Sequence, residues 1–124
     1  MEVRQPAGIE DLRDAVDAYN RAWRVGYRGI VPLEVVDAQL RPTDAEHLES
    51  LDADVTAEPG PFLVAERDGD VVGFVRARYA GTADFVADDG GEILGLYVDP
   101  AHWRHGVGSA LLASAIESFP DAVE

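Results

Sequence analysis

Apolar residues recur at Ile9, Leu12, Val16, Tyr19 and Trp23, and spacings of three and four mark one face of a helix. Glu10 and Asp11 in its first turn suit the positive end of the helix dipole, and Gly26 is a natural stop. A short strand fits Glu2–Arg4 ahead of it, set off by a Pro6–Gly8 break. Pro32 then predicts the first residue of a second helix running to about Leu40. Thr43-Asp44-Ala45-Glu46 reads as a capping box opening a third. The pattern changes at Phe62. Phe62–Glu66 and Val71–Tyr79 are β-rich runs joined by Arg67-Asp68-Gly69-Asp70, and Asp-Gly between apolar runs is a strong hairpin signal. After an acidic loop, residues 80–90, a further strand fits Glu92–Val98. Asp99-Pro100 and a glycine pair then lead into a helix that reaches about Phe119, ended by Pro120. The order β, three helices, three strands, helix predicts an α/β domain with a mostly antiparallel sheet.

With 124 residues, 13.4 kDa and 47% hydrophobic residues, the chain suits one folded domain, 1–124. The absence of cysteine excludes a disulfide framework, a thiolate metal site and a cysteine nucleophile. No apolar run approaches the roughly 20 residues of a membrane helix, and no signal-peptide pattern opens the chain. A cytoplasmic location is the expectation. Charge adds more. Asp and Glu number 24 against 10 basic residues, all of them arginine, for a net charge of −14. Nucleic acid and anionic membranes are poor partners for such a surface. An acidic, lysine-free composition resembles that of halophilic proteins, whose self-repulsion is screened by concentrated salt. GC-rich codon usage is the plainer explanation.

The informative stretch is Glu92-Ile93-Leu94-Gly95-Leu96-Tyr97-Val98-Asp99-Pro100-Ala101-His102-Trp103-Arg104-His105-Gly106-Val107-Gly108-Ser109-Ala110-Leu111-Leu112. A strand runs into a glycine-containing loop at a helix N-terminus, where backbone amides and the helix dipole form an anion cradle suited to pyrophosphate. The glycines complete neither the dinucleotide fingerprint nor the P-loop, which needs a lysine. His102 and His105 have no evident third metal ligand, and Asp84, Asp88 and Asp89 read as a solvated acidic loop, so no metal site is expected. Gly95, inside a strand, marks either a bulge or close packing.

The whole string resembles motif A of the GCN5-related N-acetyltransferase (GNAT) superfamily, in which Gln/Arg-x-x-Gly-x-Gly/Ala opens the long helix. Trp103 stands where that motif usually has Gln or Arg. Trp23–Pro32 is also similar to the connection between the first two helices of small members of the family. The resemblance implies a mixed, mostly antiparallel sheet flanked by helices. It implies acetyl-CoA as co-substrate, held by Leu96, Tyr97 and Val98 along the pantetheine arm. Arg104, His105, Gly106, Val107, Gly108 and Ser109 would hold the pyrophosphate. Glu92 lies eleven residues before Trp103, the offset of the general base in the histone-acetylating branch. Its alternative is an exposed glutamate at a strand start. Tyr27 would line the acceptor pocket; Trp23 is either a second wall residue or core.

The activity implied is acetyl transfer to a primary amine, on a small molecule or a peptide, by direct attack in a ternary complex. A non-catalytic CoA-binding or dimerising module is the alternative. Superfamily domains usually continue past this helix with a strand, a helix and a hairpin, so the sequence reads as truncated after it. That would leave the edge of Glu92–Val98 open to pairing in a homodimer.

Overall fold

The computed structural model describes residues 1–57, 60–79 and 91–119. In it β1 (Glu2–Arg4) precedes α1 (Ile9–Gly26), α2 (Leu33–Gln39) and α3 (Ala45–Ala57). Then come β2 (Phe62–Arg67), β3 (Asp70–Tyr79), β4 (Gly91–Val98), a 3₁₀ turn at Pro100–His102 and α4 (Val107–Ser118). The strands form one sheet in the order β1-β2-β3-β4, and each neighbouring pair is antiparallel. This is the expected α/β architecture with an antiparallel sheet. The acidic loop with Asp84, Asp88 and Asp89, and the Pro120 stop, lie outside the described residues.

Each face of the sheet buries its own cluster, as strand alternation dictates. On one side α1 and α3 bring Leu12, Val16 and Leu48 against Phe62, Val64 and Val71. On the other, α4 brings Val107, Leu111 and Ala115 against Ala65, Val72 and Val75. Leu12 and Leu111 are almost wholly removed from solvent, each worth about 1.5–3 kcal/mol of transfer free energy. The β2–β3 turn has φ of +55° at Asp68 and +87° at Gly69, the two positive dihedrals that a tight hairpin with the sheet's own twist requires.

Two helix starts differ from the sequence reading by one residue. Pro32 is the N-cap of α2 rather than its first helical residue. In α3 the cap is Asp44, not Thr43, because the Asp44 carboxylate accepts from the His47 amide at 3.0 Å and from its ring Nδ1 at 2.5 Å. Those bonds hold the Asp44 carboxyl below its ordinary pKa.

Polar ties fix the helices on the sheet. Arg4 bonds Asp11 on α1 at 2.7 Å and Glu66 on β2 at 2.8 Å. The Arg4 guanidinium keeps the Asp11 carboxyl below the usual range. That pairing stabilises the fold above the ordinary aspartate pKa and is lost as acid passes the lowered folded value. Asp14 is the opposite case. Partial burial, then Asp17, Asp11, Asp70 and Glu10 around it, push its carboxyl upward. Asp14 therefore favours the fold at low pH, and this contribution disappears as pH rises through its folded value. It is the local signature of the excess negative charge.

Candidate functional site

The strand-to-helix loop is shaped from both ends. Asp99 is buried; its Oδ1 accepts from the Ala101 amide at 3.0 Å and its Oδ2 is paired with Arg21 of α1. The 3₁₀ turn is thereby locked onto α1. Beyond it Arg104 has φ of +67° and Gly106, the N-cap of α4, φ of +79°. A left-handed arginine costs of order 1–3 kcal/mol, so the loop holds a conformation that the chain alone would not choose. The first helical bond of α4 runs from the Ala110 amide to the Gly106 carbonyl. The amides of Val107, Gly108 and Ser109 thus precede the helical ladder, and no side chain caps the helix. These residues line a cleft of about 370 Å³ with Leu96, Val98, His102, Trp103 and Arg104. Gly106 has the left-handed backbone its position requires, while a Cβ on Gly108 would reach only Val98 Cγ2, at 3.8 Å.

A second depression of about 360 Å³ continues the first between α1 and β4. Leu96, Val98 and Trp103 belong to both. Its other wall is Trp23, Gly26 and Tyr27, with Trp23 and Tyr27 stacked at 4.4 Å between ring centroids. Trp103 is held as a wall of this groove: its indole Nε1 donates to the Val98 carbonyl at 2.7 Å. On the far wall the buried Trp23 Nε1 has no hydrogen-bond partner.

A third cavity, larger than these two at about 490 Å³, opens on the α1–α3 side of the sheet. Tyr97 joins it to the groove, lining both. There β4 is irregular. Arg76 pairs with Gly95 and Ala77 with Ile93, so Leu94 is an extra residue bulged out of the ladder. A Cβ on Gly95 would sit 3.3 Å from the Tyr97 ring, so the bulge and the close packing occur together.

Of the residues singled out in the sequence, Leu96, Val98, Arg104, Gly106, Val107, Gly108 and Ser109 come together in the first cleft. His105 lies exposed in the same loop and does not line it. Tyr27 walls the groove rather than the large cavity. Glu92 pairs across the strands with Arg78, its Oε1 3.6 Å from Arg78 Nη1. It lines none of the three, though its Oε1 is shielded from solvent and makes no hydrogen bond. The sequence reading passed over Arg41, Arg76 and Arg78 and gave Tyr19 only a place on the apolar face of the first helix; all four line the large cavity. The alternation Phe74-x-Arg76-x-Arg78 was the available signal, because it puts two arginines on one face of a strand with a phenylalanine.

Comparison with known proteins gives the geometry its context. Residues 15–122 match the family model described as "Acetyltransferase (GNAT) family". The chain belongs to that family. No curated protein sequence matches it. Among solved structures, this GNAT domain is similar to a PaiA N-acetyltransferase from Thermoplasma acidophilum in complex with coenzyme A. The identity is 25% and the TM-score 0.71, with 94% of this chain and 69% of that one covered. A ribosomal-protein-alanine N-acetyltransferase from Brucella melitensis shows 26% identity and a TM-score of 0.64, covering 94% and 65%. An aminoglycoside antibiotic 6'-N-acetyltransferase from Acinetobacter haemolyticus shares the fold at 21% identity and a TM-score of 0.57, covering 93% and 68%. This GNAT chain thus spans about two thirds of the length of each.

Proposed function

We propose that the protein binds acetyl-CoA and transfers its acetyl group to a primary amine by direct attack. The observation that carries this reading is the unbroken course of walls from the free amides of α4, along β4, to the cavity at the bulge. Amides at a helix start suit a pyrophosphate even in a chain of net charge −14. The groove beyond suits the pantetheine arm: Leu96, Tyr97 and Val98 supply strand backbone, and the orphaned Trp23 indole N–H supplies a donor for an amide oxygen. Tyr27 stacks on Trp23 beside the arm. The thioester would then lie near Gly95 and Tyr97, with the amine entering from the large cavity. Glu92 is the base proposed to receive the amine proton, through a water, while CoA leaves as thiolate.

Calorimetric titration with acetyl-CoA should give saturable binding below millimolar ligand; no binding at millimolar concentration would overturn the reading. CoA release with a panel of amines separates an enzyme from a binding module, since a module would bind and not turn over.

The setting proposed is concentrated salt. Repulsion among the carboxylates, of which Asp14 is the local case, falls as the Debye length shrinks from about 10 Å at 0.1 M to about 3 Å at 1 M. The melting temperature should therefore rise steeply between about 0.1 M and 3 M KCl, and a flat response would remove the halophilic reading. No helix among the described residues is long and apolar enough to cross a membrane. A homodimer is proposed through the outer edge of β4 at residues 91–94, ahead of the Leu96–Val98 backbone given to the pantetheine arm; this edge pairs with no strand among the described residues and carries half-exposed Ile93 and Leu94. Light scattering in the same salt series checks it, and a monomer throughout would exclude it.

A further inference from the structure

The large cavity is lined by cations in a protein of the opposite charge. Three of the ten arginines, Arg41, Arg76 and Arg78, stand in its described walls together with His47, and no carboxylate does. With 24 acidic residues against ten basic ones, an even scatter of charge would give the reverse.

These four side chains differ in what already satisfies them. Arg78 has Glu92 at 3.6 Å, and His47 has Asp44 at 2.5 Å. The Arg41 guanidinium lies 5.9 Å from the Tyr19 ring centre. Its main chain is gripped from α1, where the buried Asn20 side chain donates to the Arg41 carbonyl at 2.9 Å and accepts from its amide at 2.8 Å. The arginine is thus mounted on a fixed support. Arg76 is the outlier. It makes no ion pair among the described residues, and its Nε is shielded from solvent without a hydrogen-bond partner. A shielded guanidinium N–H without an acceptor is destabilising, and a planar guanidinium fits the two oxygens of a carboxylate.

The remaining walls are apolar. Phe62 and Phe74 stack at 5.3 Å, and Tyr97 sets its edge against Tyr19 at 4.7 Å. The volume, about 490 Å³, is that of a site for a small molecule. The bulged Leu94 and Gly95 close the end that meets the groove.

Building on the acetyltransferase reading above, we propose that the acceptor is an amine bearing a carboxylate and an apolar body: a free amino acid with an apolar side chain. Its carboxylate is held by Arg76 in the field of Arg41, its side chain lies on the phenylalanines, and its amine faces the bulge. The same walls disfavour polycationic amines, including the aminoglycoside class named for one of the similar structures.

The test uses matched ligands on the full chain, in the lowest salt that keeps it folded. L-Leucine, L-phenylalanine and L-methionine are titrated calorimetrically beside the amines lacking only their carboxylate, with spermidine as the polycation. At least one amino acid should bind about ten- to hundredfold tighter than its decarboxylated partner, the range of a charged hydrogen bond, and spermidine should bind weakest. Arg76→Gln should reduce that ratio to under about threefold, and Arg76→Lys should restore part of it. Arg41→Gln, outside the sheet, should lower it independently and covers the case in which the strand variant fails to fold. The proposal is overturned if the decarboxylated amines or spermidine bind as tightly as the amino acids, if neither arginine variant changes the ratio, or if nothing in the panel binds. Failure of the acetyltransferase reading would look different. Acetyl-CoA would neither bind nor release CoA, while the preference for carboxylate-bearing amines persisted.

Discussion

Replacing Glu92 by glutamine should lower kcat by about 10²–10⁴ at neutral pH, the usual worth of a general base, while acetyl-CoA affinity stays nearly unchanged. The amide keeps the shape of the side chain and removes its affinity for a proton. Glu92 sits opposite Arg78, on the sheet face that carries Phe74 and Arg76 toward the large cavity. Its Oε1 lies 3.6 Å from Arg78, beyond hydrogen-bonding distance, and is shielded from solvent without a donor. A carboxylate oxygen kept free of donors retains an unused acceptor position. The ion pair with Arg78 is half-exposed, so its loss should cost no more than about 1 kcal/mol of stability, and a melting curve separates that cost from catalysis. An undiminished kcat would assign Glu92 to the strand alone and transfer deprotonation to solvent.

The fold was largely legible because its signals are local. The three- and four-residue spacing from Ile9 to Trp23 could only be satisfied by a helix burying that face, and Asp68-Gly69 named its own turn. The one-residue error at α3 has a local cause too. Asp44 and Thr43 are both good caps, and the choice went to the residue whose carboxylate could also reach the His47 ring. The phosphate-type cleft was legible for the same reason, since strand, loop and helix start are contiguous in the chain.

The large cavity was not, because its walls are assembled from α1, the segment after α2, α3, β2, β3 and β4. Asn20 illustrates the difficulty. On the helix face it shares with Val16 it looks like a defect in an apolar stripe, until the Arg41 main chain, 21 residues away, is seen to need both its bonds. Trp103 is a second example. In the sequence it is a departure from the family's Gln/Arg; in the structure its indole reaches back to the Val98 carbonyl and becomes a wall of the groove.

Gly108→Asp should weaken acetyl-CoA binding by at least about a hundredfold without unfolding the protein. Gly108 is the second residue of α4, beside amides that lack helical partners. A Cβ there meets only Val98 Cγ2, at an ordinary 3.8 Å, so the new side chain has room. An aspartate in the first turn interacts favourably with the helix dipole, by about 0.3–1 kcal/mol, and can itself accept from the free amides. The substitution should therefore leave the melting temperature unchanged or slightly raised. For a pyrophosphate docked on the same amides the carboxylate is both a competitor and a repulsive charge. At about 5 Å and an effective dielectric constant of about 20, each like-charge pair costs about 3 kcal/mol, two orders of magnitude in affinity. Gly108→Asn keeps the shape without the charge and should lose about a hundredfold less. Calorimetry on the three proteins at one salt concentration gives the comparison. If Gly108→Asp binds acetyl-CoA as wild type does, the phosphates dock away from the start of α4, and the groove loses its assignment along with them.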